Sequence, residues 1–224
     1  MKCLCLFLAF CLFVLPFSLV AQRGPLRGSG KIVEKSFDFK GFDKVDIKDL
    51  NGKIKIQTGK SFAVSIKIDD NLESLLQASV ENGTLIVSFK NNENNKMYIE
   101  DTHIELVITM PEISVVKHRG NTNVTIDFGT GRYLRIDNDG NGDIMVKGVV
   151  DQFDLINDGN GDIEAASLIA KTAEVEKFGN GDVIVNVSDK LSVKARGNGN
   201  IINKGKADFT VRAKSGNGDL IKKN

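Results

Sequence analysis

Hydrophobic residues fall at every second place over most of this chain. KVDIK (44–48), GKIKIQT (52–58), FAVSIKI (62–68), TLIVSF (84–89) and HIELVITM (103–110) put aliphatic side chains on one side of an extended backbone and polar ones on the other. A period of two predicts strands with one buried face. One helical exception is predicted, a single turn capped by Asp70 and carrying Leu72, Leu75 and Leu76. In ASVENGTLIVSF (78–89), Asn82-Gly83 supplies the positive φ angles of a tight turn, so these residues read as a hairpin. KNNENNK (90–96) has too little apolar content to be more than a polar loop.

From Ile113 onward the pattern repeats. The leading glycines of successive units are Gly120, Gly140, Gly159, Gly179, Gly197 and Gly216, at intervals of 20, 19, 20, 18 and 19 residues. Each unit reads as a strand, the tetrapeptide GNGD or a close variant, a second strand and a short polar connection. The last unit, FTVRAKSGNGD (209–219), has one residue too many before its glycine, which predicts a β-bulge. Two short strands and two turns are what one coil of a solenoid needs, and several stacked coils bury an apolar row that a single coil cannot. VDIKDLNGKIKIQTG (45–59) resembles a degenerate unit without the aspartate, so the coiling is read as starting there. A β-sandwich is the alternative, but it gives no reason for repeating one four-residue turn. The predicted fold is therefore all-β: a right-handed β-helix, or β-solenoid, with coils of about 19 residues and an N-terminal β-rich part containing a hairpin. The predicted organisation is a signal peptide over 1–21, a flexible lead-in over 22–36 and one domain over 37–224. Within that domain, 37–112 form the N-terminal part and 113–224 the repeat coils.

Stacking turns the tetrapeptide into columns. Gly140, Gly159, Gly179, Gly197 and Gly216 stand where a Cβ would clash or where φ must be positive. Asn121, Asn141, Asn160, Asn180, Asn198 and Asn217 form a row whose amides can donate to one another along the stack. The next column runs Asn123, Asp143, Asp162, Asp182, Asn200 and Asp219. Carboxylates stacked at ~4.8 Å repel by roughly 1 kcal/mol per neighbouring pair in water, so something must offset them. Backbone N–H groups of each aspartate's own turn would do so. So would a bound Ca²⁺, with Asp143, Asp162 and Asp182 as candidate ligands. Against calcium, the period is about twice that of the nonapeptide calcium solenoids, the double glycine is missing, and asparagine replaces aspartate in two of the six units. No cofactor is expected, with Ca²⁺ kept as the alternative.

Composition changes the picture in two ways. MKCLCLFLAFCLFVLPFSLVAQ opens with one lysine, an uncharged apolar run and small Ala21, the layout of a secretory signal peptide cleaved after Ala21. Cys3, Cys5 and Cys11 all lie inside it, so the exported protein is expected to hold no thiol or disulfide and no membrane span after cleavage. Basic and acidic residues then balance, which gives no electrostatic signal for nucleic acid. Of the two histidines, His103 reads as a strand residue and His118, beside Arg119, as a solvated turn residue, neither catalytic. Lys171, Lys177, Lys190, Lys204 and Lys206 read as a solvated surface or as charged edges that oppose end-to-end pairing.

GFDKVDI (41–47), NLESLLQASVENGTLIVSF (71–89) and VITMPEI (107–113), followed by the glycine-flanked GNGDI units, resemble the head GIN domain family (DUF2807), labelled a "putative auto-transporter adhesin". The resemblance covers roughly Phe37 to Lys222. It implies a secreted or surface-attached β-helical domain of bacteria, and the family brings no catalytic motif to carry over. The family typically shows GSGDI, so Asn141, Asn160, Asn180, Asn198 and Asn217 depart from it while keeping a hydrogen-bonding side chain in the column.

Three functions compete. The first is a non-catalytic surface or periplasmic module for adhesion, binding or scaffolding, with a glycan or protein as its unidentified partner and homo-oligomerisation left open. The second is a polysaccharide-active enzyme resembling the β-helical pectinases, for which neighbouring Asp143 and Asp162 fit the carboxylate spacing of a retaining glycosidase. Every stacked aspartate pair meets that distance, however, and the chain has no tryptophan for sugar stacking. The third is a calcium-dependent adhesin. The first is preferred, exported to the periplasm, the outer-membrane surface or the medium.

Overall fold

The computed structural model describes residues 24–223; the predicted signal peptide and its cleavage point lie outside the described residues. The fold is all-β. Among the described residues, fifteen strands join in one hydrogen-bonded network, and Leu26–Arg27 with Ile99–Glu100 make a separate two-stranded sheet.

Four long strands, Asn123–Gly140, Ile144–Asn157, Ile163–Lys177 and Val183–Ala195, each run from one repeat turn to the next, the first starting after Gly120-Asn121-Thr122 and the others after a Gly-Asn-Gly turn. Each pairs in parallel with its successor, with partners about one repeat apart: Ile136 lies beside Leu155, Leu155 beside Val175, and Val175 beside Val193. The short polar connection expected between the second strand of one unit and the first strand of the next is itself paired. Gly148, Val149 and Val150 sit beside Leu168, Ile169 and Ala170, so every such unit contributes a bent, near-continuous ribbon. The polar letters of that stretch hid the apolar alternation of Val150, Leu168, Ala170 and Val187, all buried.

Alternation within the ribbons places one row of side chains inside. Ile126, Val146, Ala165 and Val185 follow the turns, and Leu134, Phe153, Ala173 and Leu191 precede them, all at most 5% exposed. Phe153 is paired between Leu134 and Ala173, so the small side chain leaves room for the large one. Each such aliphatic residue contributes about 1.5–3 kcal/mol on burial, and no unit could cover them alone.

Spatial order departs from chain order at the N-terminal end. Lys44–Lys48 and Gly52–Gln57, the degenerate unit, pair with Val115–Gly120 and Asn123–Gly140. The intervening residues extend the stack the other way through Thr84–Phe89 and Ile104–Thr109. Antiparallel strands then close that end: Leu76–Glu81 forms the hairpin with Thr84–Phe89, and Ala63–Asp69 pairs with both Ile104–Thr109 and Ile32–Phe37. Asn82 and Gly83 hold φ of 50° and 73°, as the hairpin requires. The helical exception is one 3-10 turn, Glu73–Leu75; Asp70 does not cap it but accepts a hydrogen bond from Ser29 Oγ instead. The bulge falls at Arg212, where Val193 pairs with Val211 and Lys194 with Ala213. The segment read as a flexible lead-in instead carries Leu26–Arg27 and the six-residue strand Ile32–Phe37. Its glycines masked an alternation that only the partner strand makes useful.

Candidate functional site

The repeated turns form the most regular surface of the molecule. Asn141 Nδ2 donates to Asn121 Oδ1 at 3.1 Å, Asn160 to Asn141 at 2.9 Å, Asn180 to Asn160 at 2.8 Å, Asn198 to Asn180 at 2.9 Å and Asn217 to Asn198 at 3.2 Å. Each of the four inner amides, Asn141, Asn160, Asn180 and Asn198, thus uses its N–H₂ toward one neighbour and its carbonyl toward the other, an arrangement available only to a side chain with both groups. The carboxylate column has a different economy. Asp162 N donates to Asp143 Oδ1 at 2.9 Å, Asp182 N to Asp162 Oδ1 at 2.7 Å and Asn200 N to Asp182 Oδ1 at 2.6 Å. The donor comes from the next unit and not from the carboxylate's own turn, as the sequence reading had it. Asn123 and Asn200 accept the same bond, from Asp143 N and Asp219 N at 2.9 Å each. Among the described residues, no group of three His, Cys, Asp or Glu side chains is placed to hold a metal.

The glycines are fixed by close approach. A Cβ on Gly140, Gly159, Gly179, Gly197 or Gly216 would collide with the carbonyl oxygen of the preceding unit's glycine. Positive φ adds a second reason at Gly197 and Gly216, and Gly120, at the head of the column, also has positive φ.

Behind the turns lies a buried polar series that the sequence reading missed. Its members are His118, Asn138, Asn157 and Lys177, each at most 2% exposed. Asn138 Oδ1 lies 2.7 Å from His118 Nδ1, and Asn138 Nδ2 donates to Asn157 Oδ1 at 2.8 Å. Asn157 Nδ2 reaches Gly161 O at 3.2 Å, and Lys177 Nζ reaches Gly179 O at 2.7 Å. These side chains satisfy turn carbonyls from within. The first asparagine of NDGNGDI, at Asn138 and Asn157, was the available signal, since alternation points it inward. His118 is therefore an interior strand residue and not a solvated turn residue. Burial pushes its imidazole below the ordinary range, partly offset by the Asn138 hydrogen bond and by Asp49. Its Nε2 is buried without a partner. Lys177, read as surface, is fully covered, and burial lowers its ammonium against the pull of Asp182.

Outward-facing rows flank the turns. Register aligns Glu34, Lys67, Glu105, Lys53, Asn123 and then the aspartate column in a single row across both halves of the molecule. The neighbouring row contains Thr125, Met145, Glu164, Ile184, Ile202 and Ile221. Met145 is 55% exposed, and it borders a groove of about 450 Å³ with Asp143, Asp162 and Asp182 on its opposite side. Val149 and Ile169, paired on the bend, are also exposed.

His103, read from the sequence as a strand residue, lies just outside its strand. It precedes the strand Ile104–Thr109, and its backbone N–H and ring Nδ1 lie 2.7 and 3.3 Å from the two oxygens of Asp69. Asp69 is fully buried, and Gly30 N donates to it at 2.8 Å. Burial pushes this carboxyl up, but the His103 and Gly30 donors outweigh it and hold the group below the ordinary carboxylate value. A Cβ on Gly28 would meet the Asp69 carboxylate at 2.6 Å, so the lead-in packs directly over it.

A family profile described as "Putative auto-transporter adhesin, head GIN domain" matches residues 41–207. The chain belongs to this family. No curated protein matches it. Among solved structures, a "putative adhesin" from Bacteroides fragilis NCTC 9343 is 23% identical, with a TM-score of 0.67 over 88% of this chain and 100% of that one. A "putative lipid binding protein" from Parabacteroides distasonis ATCC 8503 is 18% identical (TM-score 0.53, 90% and 100% covered). A "putative adhesin" from Parabacteroides merdae ATCC 43184 is 16% identical (TM-score 0.52, 89% and 99% covered). At these identities the likeness is one of fold.

Proposed function

We propose that this head GIN chain is a β-solenoid module, with coils of about 19 residues, that is exported to the cell envelope and acts there by binding rather than by catalysis. The observation that carries the reading is the unbroken register of the outward rows beside the turns. It sets asparagine amides, carboxylates and the side chains of Met145 and Ile184 at the strand spacing along one straight face. Such a face offers an extended partner many individually modest contacts, whose effects multiply when they engage together. The partner is a glycan or protein surface, and the adhesin descriptions within the family favour the same class.

In this reading the aspartate column needs no cation, because each carboxylate in a run already accepts an N–H from its neighbour unit. Glycan-array and pull-down experiments, run with and without calcium, test the proposal. Binding should be retained in chelator and lost when Met145→Arg and Ile184→Arg are introduced together. Binding that survives both changes would move the partner to another face. A melting temperature that falls in chelator would make the module calcium-dependent.

A further inference from the structure

We infer that the groove beside His103, on the N-terminal continuation of the row that carries the aspartate column, is a binding site for a small oxyanion, a carboxylate or phosphate group. The groove has a volume of about 640 Å³, within the range of small-molecule sites, and Ile32, Lys53, Lys67, Thr102, His103 and Glu105 line it. Strand pairing sets its chemistry. Glu105 lies directly between Lys53 and Lys67, and the same outward alternation brings His103 beside Asp69 one step along the strand.

Two features make this more than a ladder of surface charges. First, His103 is oriented from below. Asp69, fully buried, takes up Nδ1 and the backbone N–H of His103, which leaves Nε2 as the one ring nitrogen free for a ligand. A buried carboxylate fixing one imidazole nitrogen while the ring itself stays exposed is how a histidine is prepared to meet a partner. Second, lysines outnumber carboxylates among the side chains that line the groove. Lys67 meets Glu105 only at 3.8 Å, both half-exposed, and Lys53 forms no ion pair among the described residues. Two ammonium groups supply donors around a groove lined by one carboxylate, and His103, whose Nδ1–H is given to Asp69, adds an Nε2–H donor in its imidazolium form, which suits an incoming oxyanion. The exposed side chain of Ile32, at the groove's end, gives the apolar edge of such a ligand a surface to rest on. Thr102 is not free for nucleophilic work, since its hydroxyl donates to Asn51 O, so the arrangement is one for binding.

The test is an NMR titration of the full chain with inorganic phosphate and, separately, glucuronate, against sodium chloride at matched ionic strength. The expected result is a saturable shift of the His103 imidazole signals with one or both oxyanions and none with chloride; which of the two is bound assigns the group. Lys53→Gln and Lys67→Gln should each weaken binding roughly ten-fold. Glu105→Gln should strengthen it, an effect that mere structural support by these residues would not produce. Failure of both oxyanions to shift His103 beyond chloride overturns the inference, as does binding indifferent to Lys53, Lys67 and Glu105. Far-UV circular dichroism and melting of each variant confirm that the groove is intact.

Discussion

At the residue scale, each letter of the Gly-Asn-Gly-Asp turn answers a different physical demand. The first glycine leaves space for a carbonyl of the unit below, so Gly159→Val should abolish or severely impair folding, read as loss of the cooperative melting transition. The aspartate is held as an acceptor, not as a charge. Asn123 and Asn200 make the same bond from the same column, so Asp162→Asn should be neutral or slightly stabilising, because it keeps Oδ1 and removes a like-charge neighbour. Asp162→Ala should instead lose about 1 kcal/mol in chemical denaturation, the usual value of one such hydrogen bond. Equal losses in the two variants would show that the charge itself matters. The turn asparagine is legible directly in the sequence. The aspartate's true donor is not, since the N–H belongs to a residue about one repeat away whose placement depends on register.

At the scale of the element, the bent ribbons bury polar groups that their turns require. Asn138, Asn157 and Lys177 occupy equivalent inward positions and donate to turn carbonyls, but only Lys177 brings a charge. Its ammonium titrates lower when folded than when unfolded, so the unfolded chain binds the extra proton. The resulting penalty is fully present at neutral pH and fades as pH rises toward the ordinary lysine value near 10.4. Lys177→Gln keeps a donor and discards the charge. It should therefore raise the melting temperature by a few degrees at pH 7 and by less near pH 10. A gain independent of pH would assign the effect to packing. Alternation marked position 177 as inward, yet composition argued for a solvated lysine; burial won because the turn carbonyl beneath needs a donor.

For the whole molecule, the junction of the repeats with the N-terminal half holds a histidine that makes it sensitive to mild acid. His118 is neutral and enclosed there, with Asp49, itself buried and raised by desolvation, as the charge acting on it. An unfolded histidine takes up a proton below about pH 6.5, whereas the folded one resists it, so stability from this group falls as pH drops through that value. Asp49 works in the opposite sense, since its raised carboxyl binds a proton in the fold before it would in the unfolded chain. Melting between pH 7 and 5.5 should show a decline that His118→Gln reduces, and an unchanged slope in that variant would place the sensitivity elsewhere.

The sequence by itself determined the strand character, the repeat length, the hairpin at Asn82-Gly83, the bulge in the last unit and the asparagine row, because each follows from local spacing or local backbone preference. Tertiary structure alone decided which strands became neighbours. It set the N-terminal antiparallel strands at the far end of the stack, turned a lead-in into a paired strand, buried His118 and Lys177, and brought Asp69 beneath His103. Pairing between distant residues depends on which surfaces remain unfilled once the rest has packed, and no local pattern carries that information.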